Sequence, residues 1–94
     1  MAKVSDETKA AITRDVLNAV DQYTDEPVDL KTPYDKTDKM MLTKSLGIGP
    51  IMIAQLALPL TKISTKYHGR GVGVYDAQGA KSVQECIDLV VKSI

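Results

Sequence analysis

Gly49-Pro50-Ile51-Met52-Ile53-Ala54-Gln55-Leu56-Ala57-Leu58-Pro59-Leu60 is the stretch whose reading decides the fold. It lies inside a longer run, Ser45 to Thr61, with no charged residue, in a chain where charged residues make up 26%. Burial must therefore be concentrated here. Gly49 can cap a helix, and Pro50 suits the first helical position, where its missing N–H has no partner to lose and its φ is already helical. The spacing predicts a central helix from Pro50 to about Tyr67, stopped at His68-Gly69 because glycine takes the left-handed conformation without a Cβ clash. Pro59 removes one backbone bond and crowds the carbonyl of Gln55, at a cost on the order of 3 kcal/mol unless the helix bends, so a kink is predicted there. A helix apolar on nearly every side must be covered on nearly every side. Either other helices surround it, or Ile51, Met52 and Leu56 meet a second chain, which makes a homo-oligomer one of the expected states.

Working outward, Ser5 with Asp6 and Glu7 forms a helix start that complements the dipole, and Ile12, Val16, Leu17, Val20 and Tyr23 recur on one face. The first helix is expected over residues 6 to 23. Thr24-Asp25-Glu26-Pro27 ends it, and the segment through Pro33 reads as a loop crossing the core, with Val28 and Leu30 turned inward. A short helix from Asp35 or Thr37 through Lys44 would close at Leu46-Gly47. After the central helix, the glycines at 69, 71 and 73 predict a long loop through Tyr75, with Val72 and Val74 available to tuck inward. Ser82-Val83-Gln84-Glu85 reads as a capping box, followed by Val83, Cys86, Ile87, Val90, Val91 and Ile94 at helical spacing. That predicts a last helix over 83 to 93.

The totals narrow the class. Ninety-four residues suit one helical domain spanning 1–94, with no room for a separate catalytic domain, so enzymatic activity of the chain is not expected. With no Trp and no Phe, the core must be built from aliphatic side chains, Met and a few Tyr. The lone Cys86 excludes an intramolecular disulfide and points to a reducing, cytoplasmic setting, and Met1 to Glu7 lacks the apolar core of a signal peptide. The uncharged run is interrupted by two Pro and is short of the roughly 18 apolar residues a membrane span needs. Residues 1–38 carry nine acids against five bases, whereas residues 39–81 carry six bases against one acid. That asymmetry can pair internally or align the chain with a partner.

In this order of parts the chain resembles an acyl or peptidyl carrier protein. Lys81-Ser82-Val83-Gln84-Glu85-Cys86-Ile87 is similar to the start of that family's final helix, Leu46-Gly47-Ile48 to the turn before its second helix, and Val28-Asp29-Leu30-Lys31-Thr32-Pro33 to its crossing loop. The resemblance implies an all-α, four-helix bundle that docks to partner enzymes of synthase or ligase type. It also implies 4′-phosphopantetheine, which the family esterifies to the serine of an Asp-Ser-Leu motif at the start of the second helix. Two registers stand. Matching Leu46-Gly47 puts Pro50 where the serine belongs and Gly49 where the aspartate belongs, so that the site is lost. Matching Ser45-Leu46 makes Ser45 the attachment candidate, with Lys44 in place of the aspartate. The family usually presents an acidic second helix, whereas the only charges on this one are Lys62 and Lys66.

Other chemistry is sparse. Lys62, Lys66, His68 and Arg70, with Tyr67 among them, form a basic segment that could meet anions or nucleic acid, but Gly69-x-Gly71-x-Gly73 neither follows a strand nor opens a helix, as a dinucleotide fingerprint would. A solvated loop is the expectation there. His68 reads as a helix cap, Cys86 as a buried apolar side chain, and no residues have metal-ligand spacing. The resulting alternatives are a carrier-like docking module, a protein-interaction or self-association domain without a prosthetic group, and an anion-binding or nucleic-acid-binding domain using Lys62, Lys66 and Arg70.

Overall fold

The structure, a computed structural model, describes residues 4–94; Met1 to Lys3, part of the segment read for a leader, lie outside the described residues. The elements in order are α1 (Asp6–Asp21), a 3-10 helix (Tyr34–Lys39), α2 (Pro50–Gln55), α3 (Ala57–Lys66), α4 (Val74–Gly79) and α5 (Val83–Ser93). The fold is all-α. Among the described residues the only strand-like pairing is one antiparallel bridge between Met41 and Ser82.

The first and last helices form where their caps and periodicity require. Ser5 Oγ accepts the Thr8 N–H at 3.2 Å, and Ile12, Val16, Leu17 and Val20 of α1 are fully buried. Ser82 Oγ accepts the Glu85 N–H at 3.2 Å, while Glu85 Oε2 accepts the N–H groups of Lys81 and Ser82 at 2.8 and 3.1 Å. The capping box therefore ties down three N–H groups, one through Ser82 and two through Glu85. Val83, Cys86, Ile87 and Val90 of α5 face α1 and α3, and Leu60 and Ile63 of α3 complete that interior. Each such aliphatic side chain contributes roughly 1.5–3 kcal/mol on burial, which makes this three-helix contact the main stabilising element.

Five α-helices, rather than the expected four, are present among the described residues: two are gained, and the one expected over residues 35–44 is replaced by the 3-10 helix. First, the central helix is divided at Leu56, one turn before the proline that was expected to kink it. Pro59 is the third residue of α3 and has no N–H to offer the Gln55 carbonyl, so the ladder closes instead through Leu56, whose N–H reaches the carbonyls of Met52 and Ile53, both at 3.1 Å. Second, Val74–Gly79 is helical where a loop was expected, because the glycine spacing ends at Gly73, which caps the new turn. Val72 is buried as expected, but Val74 points outward.

The connections differ in smaller ways. The helix expected over residues 35–44 is a 3-10 helix followed by a single bridge at Met41 and a turn over 42–46, where Leu42 N–H donates to Lys81 O and Val83 N–H to Met40 O, both at 2.9 Å. Gly47 takes φ +68° and lets the Ile48 N–H return to Leu42 O at 2.8 Å, while the Thr24 hydroxyl holds the Leu46 carbonyl. Val28 is buried, but Leu30 is exposed beside Pro33 and Tyr34. At the end of α3 it is His68, not Gly69, that adopts the left-handed conformation, with φ +68°. Gly69 serves close approach instead: its N–H donates to Ser64 O at 2.7 Å, and a Cβ there would collide with Ser64 Oγ.

Candidate docking surface

The break at Leu56 and the extra helix α4 together create the main surface feature. Pro50, Ile51 and Ala54 of α2, Ala57 and Leu58 of α3, and Val74 and Gln78 of α4 line an open groove of about 540 Å³. Ile51 is 76% exposed, Leu58 68% and Val74 51%, and Tyr75, the next residue of α4, is exposed as well. The apolar stretch, divided at Leu56, is thus partly open to solvent instead of being buried throughout. The result is a contiguous apolar face on a chain of only 94 residues.

Its surroundings are mainly basic, with Asp15 the one acid among the residues that line the two adjoining hollows. Through Pro50 and Gln78 the groove runs into a second hollow lined by Met41, Thr43, Lys44, Ile53, Ala80 and Lys81; through Leu58 it meets a third between α1 and α3, where Lys62 and Lys66 stand. Lys66 Nζ lies 3.3 Å from Asp15 Oδ2, the one ion pair among the described residues, and Tyr67 donates its hydroxyl to the same oxygen at 2.9 Å. That bond to Asp15 raises the Lys66 pKa, and burial, followed by the Asp15 contact, raises that of Tyr67. Lys44, Lys62 and Lys81 are exposed and have no such partner.

The structure separates the residues expected to meet a partner. Ile51 lies in the groove, and Lys62 and Lys66 lie beyond its Leu58 end. Met52 is exposed but does not line the groove, and Arg70 is on the loop after α3, where its N–H donates to Ser93 O at 2.9 Å. Leu56 is a correction: at 1% exposure it is the buried joint between α2 and α3 and offers nothing to a second chain. Leu58, Val74, Lys44 and Lys81 escape a reading of the sequence alone. Leu58 has a signal in its place two residues past the joint, but α4 has none separable from the glycine loop.

The start of α2 does not meet the requirements of a pantetheine arm. The N-cap of α2 is Gly49, which has no hydroxyl, and Pro50 follows at the first position. Ser45 is exposed in the turn 42–46, ahead of the helix, and its hydroxyl donates to Lys39 O at 3.3 Å. No helix terminus supports a phosphate on Ser45, and its neighbour Lys44 stands in place of an aspartate. The residues present do not fit the group.

The remaining reactive side chains are structural. Cys86 is buried on α5, and burial pushes its thiol up to about 12, far from the thiolate that nucleophilic chemistry needs. Ser64 Oγ is 2.6 Å from Ser93 Oγ and accepts the Gly71 N–H at 2.9 Å, so it fastens the glycine loop between α3 and α5. Thr61 Oγ1 does the same for Val72, donating to its carbonyl and accepting its N–H, both at 3.0 Å. Among the described residues no group of three or more His, Cys, Asp or Glu is placed to hold a metal ion, and no helix is long and apolar enough to cross a membrane.

Comparison of the chain with family models, with curated proteins and with solved structures finds no match, so what can be said of its family rests on the residues quoted above.

Proposed function

We propose that the chain is a carrier-protein-like docking module that recognises other proteins through the α2–α4 groove and works without a pantetheine arm. The observation that carries this reading is the exposure of Ile51, Leu58 and Val74 on one groove. An apolar face left open by a fold that buries most of its other aliphatic residues is the physical mark of a contact surface. The order of parts supports the carrier-like comparison: a long first helix, a crossing segment, a Leu46-Gly47 turn, a broken central helix, a short helix and a last helix. Partners of synthase or ligase type belong to that comparison. The position of Ser45 and the Gly49-Pro50 start of α2 support the absence of the arm.

Two experiments test the two halves. Intact-mass measurement after co-expression with a broad-specificity phosphopantetheinyl transferase is expected to give the unmodified chain. A single pantetheine adduct that disappears in Ser45→Ala would restore the active-carrier alternative. For docking, selection from a displayed random-peptide library should enrich peptides that bind the chain and not its Leu58→Asp variant. Enrichment only of peptides indifferent to that variant would remove the groove as the docking face.

A further inference from the structure

We infer that the α2–α4 groove receives an amphipathic helix of a partner protein, one whose apolar stripe is flanked by Asp and Glu. This rests on the docking reading and adds the chemistry of the occupant. The charged residues of the groove and the hollow it shares with Pro50 and Gln78 are Lys44 and Lys81, and no acid lines either. At the opposite, Leu58 end stand Lys62 and Lys66, and only Lys66 has an acidic partner, Asp15. Asp76, the acid of α4, lines a different hollow with Glu85 and Asp88. Unpaired cations thus bracket an apolar trough at both ends, and they favour a ligand that is apolar along its middle and negative at its margins. This is the opposite sign from the basic partner that an acidic docking helix would select.

The same charges argue against a second copy of the chain. A two-fold pairing through this face brings each basic end against the other copy's basic end, which repels in either alignment. The described residues offer no strand edge to extend, so an added β-strand has no template, and a helix laid in a groove between helices remains. A volume of about 540 Å³ suits a short row of aliphatic side chains rather than a single one.

The test uses the full chain and two fluorescein-labelled, hydrocarbon-stapled helical peptides of about 15 residues, long enough to form a stable helix. Both carry the same leucine stripe; one has Glu on its flanks and the other Lys. By fluorescence anisotropy at low salt the Glu peptide is expected to bind at least about tenfold more tightly, the sum of several modest exposed ion pairs. Added salt should erase most of that preference. Lys44→Glu combined with Lys62→Glu should reverse it, since these cations are exposed and hold no partner whose loss would unfold the chain. Equal binding of both peptides, lost in Leu58→Asp, would overturn the acidic assignment while leaving the docking face intact. Binding that survives Leu58→Asp would place the contact elsewhere and overturn both. Failure of both peptides to bind overturns the inference alone, the library selection deciding the docking face independently.

Discussion

Gly69 shows how far single positions are constrained by approach rather than by backbone angle. Its φ is ordinary, but a Cβ there would overlap Ser64 Oγ and lie 3.0 Å from Ser64 O. Since Ser64 is completely buried and also holds Gly71 and Ser93, it has nowhere to retreat. Gly69→Ala is therefore expected to cost about 1–3 kcal/mol, the usual penalty of overpacking, read as a lowered urea midpoint. Gly79→Ala is the matched control: nothing lies within 4 Å of its Cβ position, so a small gain, up to about 0.5 kcal/mol, is expected from helix propensity. An equal loss at both positions would show that the Ser64 contact is not what constrains residue 69. Read as sequence, the glycines at 69, 71 and 73 look alike, each a helix breaker. Their different roles depend on what packs against them, Ser64 and Thr61 just upstream on α3 and Ser93 from the far end of the chain.

At the scale of elements, the proline in the central helix decides where the groove opens. Pro59→Ala would return an N–H to the Gln55 carbonyl and is expected to fuse α2 and α3 into one helix. The measurable sign is slow hydrogen exchange of the new amide at position 59, together with weakened binding of the Glu-flanked peptide as the groove changes shape. Rapid exchange at that amide would mean that the packing of Leu56, not the proline, sets the break. Much at this scale is legible in the sequence: α1 and α5 declare themselves through Ser5 and the Ser82–Glu85 box, and the core faces through the apolar residues spaced at three and four. The break itself is legible too, but one turn too late, because sequence shows which residue lacks the donor and not which carbonyl yields. The helix α4 is hidden, since six residues behind a glycine loop give too short a period to read, and with it goes the wall of the groove formed by Val74 and Gln78. Lys44 and Lys81 are individually visible but stand far apart in the chain, and only the pairing of their segments brings them to one hollow.

For the whole molecule, alkaline pH is the condition that should unfasten it. Cys86 holds its proton to about 12 when folded, because burial disfavours the thiolate, whereas the ordinary value is 9.0. Its contribution to stability is thus fully present below pH 9 and is lost as pH rises towards 12, where the unfolded chain alone can release the proton. Tyr34, raised first by its bond to the Asp88 carboxylate and then by burial, and Tyr67 act in the same direction above their usual 10.0. Urea midpoints are expected to hold steady below about pH 9 and to fall steadily above it, with a shallower fall in Cys86→Ala. An unchanged slope in that variant would exclude the thiol as the cause. The short bridge at Met41 and Ser82 has a different consequence for the molecule as a whole. Because the bonds that bring Lys44 and Lys81 near each other run through the main chain and the Glu85 carboxylate, and not through the two lysine side chains, those side chains are free to be exchanged without loosening the scaffold. The address that the surface presents can be rewritten while the architecture beneath it stays as it is.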